Sequence, residues 1–261
     1  MTPVRRRTLL GGALGALGLG ALGLGVSGCG AGSGAARPEP ADDPRPLTGA
    51  EAEQLALVRF QLYSASPVRV AMRWPGSPAI SYTVSLDLRE HLAWGTFETH
   101  DGEDSDTGFV AWDLATVATA PGAPDAAPPE PGAWSQRALS TQYAQDIFLA
   151  LTLNLGSDRP ENPALLRQST ARRLRSDEVD GTRVAVFEGP RPAEATASAG
   201  GGAASGRTRY WLDDDGALVR FEAYLGQADG ELARVDVVAS GPDDGALRTR
   251  ASEVLASRRG G

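Results

Sequence analysis

The sequence predicts an α+β fold: an antiparallel sheet with one apolar and one polar face, accompanied by a few helices. Three observations carry this. Period-two alternation runs from Val68 to Leu88 and returns from about residue 171 to 239. Capped stripes of helical spacing precede and interrupt it. Asp-Gly dipeptides stand between alternating runs, where tight hairpins need them. A single domain of roughly 190 residues can bury a sizeable core.

Structure is expected from Thr48, which with Glu51 forms a capping box ahead of Leu55, Val58 and Leu62 at helical spacing. That helix should end near Ser64, with Pro67 stopping it. Val68, Val70, Met72 and Trp74 then alternate with Arg69, Ala71 and Arg73. Ile80, Tyr82, Val84, Leu86 and Leu88 alternate with polar neighbours in the same way. Further strands are expected at 92–99, 107–113 and 115–120, followed by a Pro/Ala loop from Pro121 to Gly132.

Helical spacing returns after Ser140. Tyr143, Ile147, Leu151 and Leu155 form a stripe widened by Ala144 and Phe148, and Gly156 suits the position just past the helix end. Asn162-Pro163 reads as an N-cap with proline in the first turn, opening a short helix to Gln168. Strands follow at 171–179, 182–188, 207–213, 217–225 and 231–239, with turns at Asp180-Gly181 and Asp214-Asp215-Gly216. From Gly241 the pattern lapses, and residues 241–261 read as a loose tail.

The first residues have a different logic. Arg5-Arg6-Arg7 precede an uncharged Leu/Gly/Ala run, and the chain's sole cysteine closes Val26-Ser27-Gly28-Cys29. A cationic start, an apolar middle and small residues before a cleavage point describe a secretory signal. The tetrapeptide resembles the lipobox of bacterial lipoproteins, in which the cysteine receives a diacylglycerol and then further acyl chains such as palmitate. This implies a signal peptide over 1–28, a lipid on Cys29, a flexible tether over 29–47 and a domain over 48–240. The protein would then sit on the extracytoplasmic face of the cell membrane. At ~0.8 kcal/mol per buried methylene, two chains anchor stably where one is marginal. The many glycines of the leader argue against a spanning helix. Arg6 and Arg7, followed by Thr8-Leu9-Leu10, are similar to the twin-arginine export signature. Arg5 stands where Ser or Thr is usual, which leaves the export route open. Gly18 to Gly23 matches a dinucleotide fingerprint in letters but lies in the leader, without the strand and helix that give it meaning.

Composition narrows the function. The net charge is −8, and removing the leader takes away three arginines and no acid, giving −11 from 22 arginines against 33 acids. So acidic a surface repels nucleic acid, which is not expected as a partner. The chain has no lysine, which excludes a P-loop, a Schiff-base lysine and a Ser-x-x-Lys nucleophile. No G-x-S-x-G is present, and no serine or threonine has a base partner legible in sequence, so no catalytic residues and no cofactor are assigned. His91 and His100 are the only histidines. The acids around His100 miss the calcium-loop spacing and read as a solvated hairpin tip, so no metal is assigned either. The Arg172-Arg173-Leu174-Arg175 cluster reads as a solvated strand face.

Element order and two hairpins carry a family resemblance. They are Ser176 to Phe187, with its Val-Asp-Gly-Thr turn, and Arg209 to Arg220, with Tyr-Trp-Leu-Asp before Asp-Gly-Ala-Leu-Val-Arg. Over roughly 48–240 the chain resembles the LolA-like superfamily, including the LprG/LppX lipoproteins of high-GC Gram-positive bacteria. The resemblance implies a strongly curved antiparallel half-barrel with helices packed on its concave face, and a cavity between them for a lipid or glycolipid. Tyr82, Val84, Leu86, Phe97 and Val110 would then form the wall. Tyr143, Ile147, Phe148 and Leu151 would form the lid. Two alternatives stand beside this: the same residues fill one another as a core, or the domain is a tethered sensor that binds a protein partner, as in RseB-like relatives.

Overall fold

The computed structural model describes residues 43–102, 104–191, 207–226, 231–238 and 245–259. The leader, Cys29 and most of the expected tether lie outside these residues. In chain order the elements are β1 (Arg45–Pro46), α1 (Gly49–Ala65), β2 (Val68–Trp74), β3 (Ala79–Asp87), β4 (Leu92–Asp101), β5 (Asp104–Trp112), β6 (Thr116–Pro121), a 3-10 turn (Pro131–Ala133) and β7 (Ser135–Ala138). Then come α2 (Ala144–Leu153), α3 (Pro163–Gln168), β8 (Arg172–Val179), β9 (Thr182–Glu188), β10 (Thr208–Leu212), β11 (Leu218–Ala223), β12 (Ala233–Val237) and α4 (Gly245–Arg259).

All described strands join one curved, open antiparallel sheet in the order β1-β8-β9-β10-β11-β12-β2-β3-β4-β5-β6-β7. The β12–β2 pairing, with Val235 opposite Met72, welds the C-terminal hairpins to the N-terminal meander. Local chemistry sets the hairpins. Val179 pairs with Thr182 across a two-residue loop in which Asp180 has φ 48° and Gly181 φ 81°. Both are left-handed, as a type I′ turn demands and as an Asp-Gly pair supplies.

Alternation sorts the side chains onto two faces. Val70, Met72, Tyr82, Val84, Val110, Trp112, Phe221 and Val235 join Leu55, Val58, Phe148, Leu149 and Leu166 of the helices in the main core. Thr48 caps α1 as expected: its hydroxyl accepts from the Glu51 amide, and the Glu51 carboxylate accepts from the Thr48 amide at 2.9 Å. On the opposite face Trp94, Phe109, Ala111 and Ala118 pack with Trp134 and α4. A third cluster, Leu174, Val179, Val184, Val186 and Trp211, covers the outer side of β8–β10.

Three expectations are corrected. Of the expected loose tail over 241–261, residues 245–259 form α4, which buries Leu247, Ala251, Val254 and Leu255 against the outer face. Those positions fall at i, i+4, i+7 and i+8, a helical stripe whose small alanine weakens the sequence signal. Arg248 pins the helix, donating to Asp87 Oδ2 at 2.6 Å and lying 5.4 Å from the Trp94 ring centre. The tether does not extend to residue 47, since Arg45 pairs with Arg173 and Leu47 is buried in the core. A two-residue strand containing proline at a sheet edge gives no alternation to read. Arg175 of the arginine cluster is not solvated but buried. It is paired with Asp177 at 3.3 Å and stacked 5.9 Å from the Trp211 ring centre, next to a register shift in β8. Among the described residues no helix is long and apolar enough to cross a membrane.

Candidate functional site

The orientation of α2 decides where space is left between sheet and helices. Asp146 in its first turn is 1 % exposed, takes two hydrogen bonds from the Arg137 guanidinium at 2.6 and 2.7 Å, and accepts the Ser140 amide at 2.9 Å. This pulls a carboxylate inward where the hydrophobic stripe alone would place it outside. The residues α2 buries are Asp146, Phe148, Leu149, Thr152 and Leu153, while Tyr143 is 63 % and Ile147 38 % exposed. The expected lid stripe through Tyr143 and Ile147 is therefore corrected: the helix is rotated so that neither lines the interior. Thr152 satisfies its own hydroxyl on the Leu149 carbonyl, and the Trp112 indole N–H donates to the same carbonyl at 3.0 Å.

At 100° per residue, Gln145 and Leu149 lie on one flank of α2, Leu151 and Asn154 on the other, with Phe148 between them. Each flank borders a cavity. On the first, about 200 Å³ is enclosed by β3–β7, with Tyr82, Phe97, Val110, Val117 and Leu149 as apolar walls and Arg137 and Gln145 at the polar side. Gln145 donates to the Tyr82 hydroxyl oxygen at 2.7 Å, and burial pushes the Tyr82 phenol up to about 12. Phe97 lies across from Gly108, where a Cβ would come within 2.7 Å of its ring, so the glycine makes room for the aromatic wall.

On the second flank about 360 Å³ lies between α1, α2 and α3 and the strands β10 and β11. Leu55 and Val58 of α1, Leu151 and Leu155, Leu166 of α3, and Phe221 form its apolar walls. Tyr210 stacks edge-on against Phe221 with ring centres 5.1 Å apart, and burial raises its phenol above the usual range against a hydrogen bond with Thr208. The rim is polar. Arg59 reaches Glu161 at 3.2 Å and donates to the Asn154 carbonyl at 3.0 Å and the Gly156 carbonyl at 3.4 Å. The backbone repeats the clamp, with the Ser157 amide donating to the Arg59 carbonyl and the Glu161 amide to that of Ala56. A third hollow of about 320 Å³ sits beneath α4 and is more polar, bordered by Glu90, Asp113, Arg248 and Ser252.

The expected wall and lid residues thus divide. Tyr82, Phe97 and Val110 border the smaller cavity and Leu151 the larger. Val84, Leu86 and Phe148 are at most 1 % exposed and fill the core, which corrects the placement of the first two in a cavity wall and of Phe148 in its lid. Sequence reasoning missed Arg59, Glu161, Leu166, Tyr210 and Phe221. The alternation of Tyr210 with Trp211 indicates two faces, but nothing in sequence announces that α3 stands clear of one of them. Among the described residues no three His, Cys, Asp or Glu side chains converge as a metal site would require. His100 instead meets Ser81 Oγ at 3.1 Å and His91 the Leu153 carbonyl oxygen at 3.1 Å.

No family model matches the chain, and no curated protein matches it. Among solved structures it is similar to LprF from Mycobacterium bovis, at 15 % identity and a TM-score of 0.42, over 77 % of this chain and 99 % of that one.

Proposed function

We propose that this chain is a LolA-like lipoprotein that holds a lipid-like hydrophobic ligand between its sheet and helices, outside the cytoplasmic membrane and tethered through an acylated Cys29. The observation that carries this is the 360 Å³ cavity, with its six apolar side chains inside and a polar rim of Arg59, Asn154, Glu161 and Thr208. Ligand sites are concave, mostly apolar and ~300–1,000 Å³, with a few polar groups that orient the occupant. The smaller cavity falls below that range. An amphiphile fits such a site because the walls take its chain from water while the rim solvates its head. The function that apolar walls and a polar rim support is that of a carrier or receptor.

The experiment is lipid extraction from the acylated protein purified from membranes, alongside a Cys29→Ser variant that lacks the anchor. Mass spectrometry should recover a stoichiometric amphiphile from both and covalent acyl chains only from the first. A protein that yields no ligand in either form is a filled, tethered module, and the carrier reading fails.

A further inference from the structure

We infer that the larger cavity accepts a single-chain amphiphile with an uncharged, hydroxylated head of the monoacylglycerol class, and that Glu161 rejects free carboxylates. The inference rests on the proposed ligand-binding role and goes beyond it to the class of ligand.

Volume sets the number of chains. A methylene displaces about as much space as a water molecule, ~30 Å³, so the 360 Å³ cavity takes roughly a dozen such groups. That room within the walls matches one medium acyl chain.

The rim sets the head. Arg59 would be the natural partner of an anionic head, but its guanidinium is already engaged. One terminal nitrogen faces Glu161 at 3.2 Å, and the other terminal nitrogen serves the Asn154 and Gly156 carbonyls. An incoming carboxylate must approach this cation beside the Glu161 carboxylate, and two like charges a few ångströms apart disfavour each other by about a tenfold factor or more. A hydroxylated head meets the opposite situation. Its O–H groups would donate to the Glu161 carboxylate, and its oxygens would join the hydrogen-bonded pair of Thr208 and Tyr210, residues that line the space. The rim is therefore rich in acceptors and carries a cation whose charge is already matched.

The test is calorimetric titration at pH 8 of the wild type and Glu161→Gln with 1-monolauroylglycerol and with laurate, which share a chain and differ in head charge. The wild type should bind the monoacylglycerol at least about tenfold more tightly than laurate. Glu161→Gln, which keeps shape and removes charge, should tighten laurate about tenfold and weaken the monoacylglycerol a few-fold, because its hydroxyls exchange a charged acceptor for a neutral one. Retained monoacylglycerol binding also shows that the variant keeps its fold. Equal binding of the two ligands by the wild type, or laurate affinity unmoved by Glu161→Gln, overturns the inference while sparing the ligand-binding role. Binding of neither ligand overturns both.

Discussion

At the scale of single residues, buried or half-buried charge governs more than its numbers suggest. Glu51 closes the capping box of α1 and takes two hydrogen bonds from Arg45, at 2.7 and 2.8 Å. The Arg45 hydrogen bond is the main reason its carboxyl falls from the ordinary 4.5 to about 2; the Thr48 amide and hydroxyl add to it, against the opposing effect of burial. A folded-state value below the unfolded one means the stabilisation is present above about pH 4.5 and is lost as pH falls towards 2. Glu51→Gln should therefore be less stable than the wild type at pH 6, with the gap closing between about pH 4.5 and 2. Urea unfolding of both proteins across that range checks this, and a gap constant with pH would contradict it. Asp146 acts through orientation. Alternation and helical stripes say which apolar residues are inside, and on that evidence Tyr143 and Ile147 belong there. An inward carboxylate outweighs them, because its guanidinium partner Arg137, nine residues upstream on the preceding strand β7, brings two charge-assisted hydrogen bonds, each worth ~1.5–3 kcal/mol. A stripe model contains no term for an ion pair made outside the helix, so the lid residues were illegible in sequence.

At the scale of elements, the legible parts are those with strong local chemistry. The strands with clean alternation, the Asp180-Gly181 hairpin, the Thr48 capping box and the Asn162-Pro163 start of α3 all form where their residues direct. Asn162 Oδ1 accepts from the Ala164 amide at 2.9 Å, as an N-cap should. The illegible elements are polar or short: β7, with Ser-Gln-Arg-Ala at an edge, and β1, with two residues. The C-terminal helix was legible in principle, since its apolar positions keep helical spacing, but alanine and arginine dilute the stripe. Its role is checked by Leu247→Ala. As a core residue 2 % exposed, Leu247 should cost about 2–5 kcal/mol on truncation, whereas the same change in a loose tail stays within ±0.5 kcal/mol. Denaturant midpoints at equal slope give the answer.

At the scale of the whole molecule, one sheet divides its two faces between different tasks. The outer face is covered by α4, over a polar hollow of about 320 Å³, and by Trp211 with its stacked arginines. The inner face is covered by three helices that do not seal it. Phe148 wedges α2 onto the sheet and leaves an opening on either flank, and the larger opening falls where the clamped loop after α2 holds α3 away from β10. A filled core and a cavity require the same apolar composition, so sequence could name candidates for the wall but could not say which of them touch each other and which enclose space. The central claim is that the space beneath α3 is the ligand site. It is tested most directly by calorimetric titration of 1-monolauroylglycerol into the wild type and Leu166→Trp, whose indole would occupy the cavity that Leu166 now borders. A folded Leu166→Trp protein that binds at least about tenfold more weakly than the wild type is the result predicted. A folded variant that binds equally well places the ligand elsewhere and contradicts the account.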